Sequence, residues 1–310
     1  MQKFIKKLFL FLVIGLAMYI TVLIFWAEFM PAVFKQNINY SLGAYGHMYT
    51  RIREVEKSGP VDILFIGSSH AYRGFDTRIA KEYGYTSFNL GSSAQTPVQT
   101  KLLLDEYLDR LKPKMIVYEV CPYIFTNDGV ESSLDIIANG RIDLNVLKMS
   151  ANINHIKTYN NIVYAYYREL FNRNKNFKEN KVIAYDTYIA GGFVERTMMN
   201  NEDSIPWKID KIEWAPKAYQ LTAFDKIITL AKEKGVKLIL VQAPVTKPEY
   251  AKYRANDSIN NYLAQKAIYY NFNNCIKLSD TLDFYNKDHL NQKGIRIFNT
   301  ALMDSIGQNK

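Results

Sequence analysis

The sequence predicts an α/β protein: a doubly wound parallel sheet behind an N-terminal transmembrane helix, with a long insertion between two core strands. Three observations carry this. Four short β-branched runs lack period-two alternation, amphipathic helical patterns separate them, and one stretch of twenty residues near the N-terminus bears no charge.

That stretch comes first in the chain. Lys3, Lys6 and Lys7 precede LFLFLVIGLAMYITVLIFWA, residues 8–27. At about 1.5 Å rise per residue, such a helix covers the roughly 30 Å hydrocarbon core of a bilayer. A cleaved signal peptide has an apolar stretch of only about 7–15 residues and a small-residue exit. Here the run ends in FWAEFMP, with Trp26 at the expected interface. Residues 1–29 therefore read as a cytoplasmic start and an uncleaved signal anchor; a cleaved signal and a buried core helix are the alternatives. The N-terminal lysines favour a single-pass protein of the cytoplasmic membrane with residues 30–310 outside.

Residues 30–60 form a connecting segment that leads into a helix, YGHMYTRIREVEKSG, and residues 61–310 hold the α/β domain. The strand candidates are VDILFIG (61–67), KMIVYEV (114–120), VKLILVQAP (236–244) and CIKLSD (275–280), with a weaker SFNLG (87–91). Continuous apolar runs suit strands buried on both faces of a parallel sheet. Between them TPVQTKLLLDEYLDRL, PKAYQLTAFDKIITLAKEKG and DSINNYLAQKAIYY carry apolar residues at three- and four-residue spacing, as amphipathic helices require. Gly235 stands where a left-handed helix cap is expected. In such sheets sites form at the carboxyl ends of strands, which directs attention to the loops after residues 67, 91, 122, 244 and 280. Residues 123–213 interrupt the rhythm with no convincing strand of the central sheet. They contain an aromatic helical piece, KTYNNIVYAYYRELF, and a YIAGGFVER turn, and they read either as a lid or specificity subdomain or as a helical embellishment.

The net charge of +9 raises nucleic-acid binding, but the basic residues are scattered without a run of four, so nucleic acid is not expected as a partner. An anionic membrane surface or an acidic glycan accounts for the excess equally well. Cys121 and Cys275 occupy apolar, strand-like positions and read as two isolated buried thiols, with pairing in an oxidising compartment the alternative. The chain has no zinc-ligand spacing, no P-loop and no Gly-x-Gly-x-x-Gly after a strand, so neither metal nor cofactor is expected.

Gly67-Ser68-Ser69-His70 follows the first strand and enters a helix. A serine at that turn exposes its hydroxyl at the sheet's carboxyl edge, and helix amides behind it suit a developing oxyanion. The plain alternative is a structural N-cap. A serine nucleophile needs an imidazole within hydrogen-bond reach. Of the four histidines, His47 precedes the sheet, His155 sits in the insertion, and His70 is poorly placed to serve its own neighbour. His289, in FYNKDHLNQKGIRIFNTAL, follows the last predicted strand and precedes a helix, so it converges on the same edge.

FIGSSH, FNLGSS and DHLNQKG, in that order on those elements, resemble the SGNH/GDSL hydrolase superfamily. Within it they resemble the membrane-anchored extracytoplasmic branch with polysaccharide O-acetyl esterases and transferases; the D-alanine-transfer protein of teichoic acid modification is a more distant likeness. The resemblance covers about residues 60–122 and 236–306. It implies a three-layer α/β/α, flavodoxin-like sheet and a serine esterase or O-acyltransferase acting on an acyl or acetyl ester of a cell-envelope glycan, alongside cell-surface polysaccharide machinery. By position it implies Ser69 as nucleophile, His289 as base, and the backbone N–H groups of Gly91 and Ser69 as the oxyanion hole, with Ser68 and His70 in supporting places. Two departures stand out. The family's aspartate three residues before the histidine is Asn286 here, leaving Asp288 and Asp283 as available carboxylates, and the family's third-block asparagine is missing after KMIVYEV. TND at 126–128 arrives too late to replace it. Glu119, polar in an apolar strand, either organises the site or reaches solvent at the strand end. The departures leave open a degenerate, non-catalytic relative that binds or scaffolds surface polysaccharide.

Overall fold

The computed structural model describes residues 1–44, 46–197, 210–273 and 275–307. Helix α1 (Gln2–Phe29) is the apolar N-terminal element; among the described residues it alone is long and apolar enough to cross a membrane. A 3-10 turn at Ala32–Phe34 leads towards α2 (Met48–Val55). The α/β domain begins with β1 (Ile63–Ile66), α3 (Ser69–Gly74), α4 (Thr77–Glu82), β2 (Ser87–Asn89), α5 (Pro97–Leu111) and β3 (Met115–Glu119). The insertion adds α6 (Tyr123–Thr126), α7 (Val130–Asn139), α8 (Leu144–Ile153) and α9 (Ile156–Leu170), then β4 (Val182–Ile183), β5 (Asp186–Ile189) and β6 (Phe193–Arg196). The chain returns through α10 (Ala218–Glu233), β7 (Lys237–Gln242), α11 (Lys247–Tyr250), α12 (Asn256–Ala264), β8 (Ile268–Asn271) and α13 (Gln292–Gly307).

Five strands form one all-parallel sheet in the order β2-β1-β3-β7-β8, the flavodoxin-like arrangement. Side chains alternate across it. Leu64 and Ile66 of β1 join a core with α5 and α10, whereas Ile63 and Phe65 join a second core with α3, α4 and α13. Both faces are covered, which gives the three layers and explains the unbroken apolar runs. The strand order reverses between β1 and β3, so the crevice beyond their carboxyl ends is where a site is expected. Gly235 has φ +65° at the end of α10, as its position predicts.

Three readings are corrected. The fifth strand is Ile268–Asn271, paired with β7, whereas residues 275–280 form a loop. This edge strand is only partly buried, so it reads as tyrosine-rich instead of continuously apolar, and the helical pattern ahead of it blurred the boundary at Ala264. Cys121 is buried, but Cys275, in that loop, is exposed; both are free thiols. The insertion is not wholly helical. β4, β5 and β6 make a separate antiparallel sheet whose turn carries Gly191 and Gly192 at φ +90° and +89°. At Gly192 a Cβ would lie 2.1 Å from Asn89 O, so glycine is required for this turn to press against β2. Residues 198–209 of the insertion lie outside the described residues.

Candidate active site

The turn after β1 is shaped by its contact with β3. Gly67 has φ +144°, and a Cβ there would stand 2.7 Å from the Glu119 Cβ. Ser68 is the N-cap of α3, its Oγ accepting from His70 N at 3.3 Å. Ser68 also donates twice to Glu119 Oε2, from its N–H at 3.1 Å and its hydroxyl at 2.7 Å. Glu119 Oε1 accepts from Cys121 N at 2.9 Å and faces His70 Nδ1 at 3.6 Å. The fully buried Glu119 thus binds the loops after β1 and β3 together and does not reach solvent.

Ser69, one residue on, points to the opposite partner. Its Oγ lies 2.8 Å from His289 Nε2, across 220 positions of sequence. The His289 Nδ1 lies 2.9 Å from Asp288 Oδ1 and 3.2 Å from Asn286 Oδ1. Both are acceptors there, so Nδ1 carries the proton and Nε2 is left to accept from Ser69. Asn286 Oδ1 also accepts the backbone N–H of His289 at 2.7 Å and of Asp288 at 3.1 Å, fixing the loop's curvature. Thr246, after β7, holds the same loop by donating its N–H and hydroxyl to Lys287 O. Tyr285 stacks on the His289 ring at 5.4 Å, a contact with no sequence signal. Asp283 turns elsewhere, accepting from Ser279 N and pairing with Lys293.

The charges around the two histidines differ in sign of effect. Burial opposes a charged His70, but Cys121 and Glu119 outweigh it and hold that imidazole well above its ordinary range. Burial likewise opposes Glu119 ionisation, and His70 and Ser68 overcome it, so the carboxyl sits below its usual value. Burial pushes His289 down; Asp288 pulls it up, while His70 and Arg73 add to the lowering. Asp288 is held low by His289, His70 and Lys287 against its burial. The surroundings thus favour a charged His70 beside the buried Glu119 and a neutral His289, the two imidazole rings 4.8 Å apart. The ligand atoms of His70, Glu119 and Cys121 lie within 4.8 Å of one another, a spacing a metal could use. The Glu119 oxygens already accept from Ser68 and Cys121 and face His70, so the cluster is held together by its own hydrogen bonds and charges.

The amides are distributed otherwise than the sequence implied. The Gly91 N–H donates to Asn89 Oδ1 at 3.0 Å and is not open to a ligand. Gly91 is needed for packing, since a Cβ would lie 2.8 Å from Tyr72 N. Among the described residues the N–H groups of Ser69, Ser93 and Ala94 have no hydrogen-bond partner, and Ala94 adopts φ +47° in the same loop. Asn127 of TND accepts from Gly129 N within the insertion. A cavity of about 320 Å³ opens beside the site between Tyr123, Tyr250 and Tyr253 and reaches His70, Asp288 and Lys287. The small sheet stands close by, with Arg73 paired to Asp186 through two 2.7 Å contacts and Arg196 over the Tyr285 ring.

A serine, an imidazole and a carboxylate joined in series at the switch point of a parallel α/β sheet can perform nucleophilic acyl transfer. Compared with protein-family models and with curated proteins, the chain matches none. Among solved structures it is similar to a GDSL-like lipase from Bacteroides thetaiotaomicron, at 16% identity and TM-score 0.41, covering 86% of this chain and 99% of the other. It is also similar to a Bacteroides fragilis protein named as an acylhydrolase, at 15% identity and TM-score 0.39, covering 87% and 99%. At those scores the two neighbours bring no chemistry to this chain.

Proposed function

We propose that this chain is a membrane-anchored serine esterase or O-acyltransferase, with its α/β domain outside the cytoplasmic membrane. The observation that carries the reading is the Ser69–His289–Asp288 series at 2.8 and 2.9 Å. Ser69 Oγ attacks the carbonyl carbon of an ester while its proton passes to His289 Nε2. Asp288 stabilises the imidazolium, and the Ser69 N–H is available to the oxyanion. Collapse of the tetrahedral intermediate breaks the ester C–O bond, His289 returns the proton to the leaving alkoxide, and an acyl-Ser69 remains. Water or a sugar hydroxyl then attacks with His289 as base, giving hydrolysis or transfer. The motif resemblance to SGNH/GDSL hydrolases supports Ser69 and His289 by position; Asp288 rests on its own 2.9 Å contact, since Asn286 occupies the usual aspartate position.

A cell-envelope glycan as substrate rests on the resemblance, the anchor and the tyrosine-lined cavity, whose phenol rings suit stacking against a sugar face. The reading requires hydrolysis of p-nitrophenyl acetate by the full-length protein that disappears in both Ser69→Ala and His289→Ala. Identical rates in all three proteins would exclude it. Product analysis with a sugar acceptor present distinguishes esterase from transferase. The engaged Gly91 amide favours one rival, a non-catalytic glycan-binding relative, which predicts oligosaccharide binding without turnover.

A further inference from the structure

Helix α1 is fastened to the folded domain along its last three turns. Leu23 and Ala27 are buried against Ile38 and Tyr164. Tyr19 Oη donates to Asn160 Oδ1 at 2.5 Å, and Glu28 accepts from Tyr164 at 3.1 Å and Arg173 at 3.2 Å. Past Pro31 the chain doubles back along the helix. Trp26 Nε1 donates to Phe34 O at 3.0 Å, Lys35 Nζ to Ala27 O at 2.5 Å, and Asn160 Nδ2 to Asn37 O at 3.2 Å. Asn160 therefore joins Asn37 to Tyr19, about 15 Å back from the helix end at 1.5 Å per residue.

This attachment conflicts with a domain held clear of the bilayer. A span of roughly 30 Å needs about 20 apolar residues. Between Lys7 and Tyr19, the first residue held by the domain, Leu8–Met18 supply only about 16 Å of helix. The full run to Ala27 meets the requirement, so Tyr19–Ala27 must lie at membrane depth and whatever is bonded to them lies there too. The attached surface has matching chemistry. Val33 and Phe34 are 70% and 60% exposed, and Ile156 and Tyr159 at the start of α9 are also exposed. At that level Asn160 satisfies both the Tyr19 hydroxyl and the Asn37 carbonyl. A cavity of about 430 Å³ separates α1 from the return segment, lined by Val22, Trp26, Val33 and Phe34 and also by the polar Lys35, Asn37 and Asn160.

We propose that the attached face of the domain is sunk into the outer leaflet of the membrane, with the Pro31–Ile38 return segment and the first turn of α9 in contact with phospholipid. The inference rests on α1 as the membrane-spanning helix and not on chemistry at Ser69, so its test involves no turnover.

Full-length protein carrying Cys275→Ser is placed in phosphatidylcholine–phosphatidylglycerol nanodiscs; the remaining Cys121 is buried. Nitroxides are attached after Phe34→Cys, Ile156→Cys or, as an exposed control, Leu282→Cys. Collision rates with oxygen and with a water-soluble nickel chelate are compared. The oxygen-to-nickel ratio is expected to be several-fold higher at positions 34 and 156 than at 282. Equal ratios at all three overturn the proposal, as does an intact mass showing that membrane-extracted protein lacks α1. If a label at 34 unfolds the chain, position 156 alone decides between the same two outcomes.

Discussion

His70→Gln should move the acid limb of the pH–rate profile upward. The His70 ring lies 4.8 Å from the His289 ring, with Glu119 Oε1 3.6 Å from His70 Nδ1 on its other side. One unit charge at that separation in an effective dielectric of about 20 is worth ~3.5 kcal/mol, or ~2.5 pH units on a neighbouring base. Without the His70 cation the buried Glu119 carboxyl takes up a proton more readily, and losing that negative charge offsets part of the change, leaving a net effect of about one pH unit. The sign follows from the proton that must be absent. His289 acts as base only when neutral, and the His70 cation makes protonating it harder. Wild type therefore stays active below the ordinary histidine range, and removing the cation lets His289 protonate at higher pH. Glutamine keeps a donor for Glu119, so the turn survives. The assay is kcat/KM for p-nitrophenyl acetate from pH 4.5 to 9, which reports ionisations of the free enzyme. The expected result is a limb about one unit higher with activity near wild type above pH 8. A limb that stays put or moves to lower pH would refute the electrostatic role, and a uniform loss at every pH would indicate a steric one.

Other substitutions test other parts of the site. Asp288→Ala should lower kcat by roughly 10⁴, in the range found when a triad carboxylate is removed, whereas Asn286→Asp should cost far less because it keeps the acceptor of the two loop amides and leaves the shorter Nδ1 contact intact. Equal losses would give the orienting role to both residues. Gly67→Ala forces a Cβ against Glu119 in a backbone region closed to alanine, and should destabilise the fold by about 3 kcal/mol or more in urea unfolding. Glu119→Ala strands the buried Ser68 and Cys121 amides and the His70 cation, with an expected loss of about 3–5 kcal/mol, read from the same titration.

The parts of the architecture that were legible are those where one physical requirement dominates. β1, β3 and β7 are buried on both faces, so VDILFIG, KMIVYEV and VKLILVQAP could hardly be anything else. The meeting of Ser69 with His289 was legible because both close strand-end loops on one edge of a parallel sheet. Elsewhere several requirements compete. β8 is an edge strand, so Tyr269 and Tyr270 replace the apolar signal, and CIKLSD mimics it from a loop. Residue spacing could not choose between Asp288 and Asn286, because that depends on how sharply the loop folds at Asn286 itself. Nor could it foresee that Asn89 would take the Gly91 amide, since that bond is made by a side chain two residues away. The small β4–β6 sheet is short and half exposed, which leaves almost no periodicity to read.

The central claim is that Ser69 is a nucleophile activated by His289, and covalent labelling addresses it most directly. Full-length protein treated with a fluorophosphonate at pH 8 and digested should show one phosphonyl adduct on the peptide containing Ser68 and Ser69, assigned to Ser69 by fragmentation. The adduct should vanish in Ser69→Ala and be strongly slowed in His289→Ala. No adduct on folded protein, or an adduct that persists in Ser69→Ala, would contradict the account.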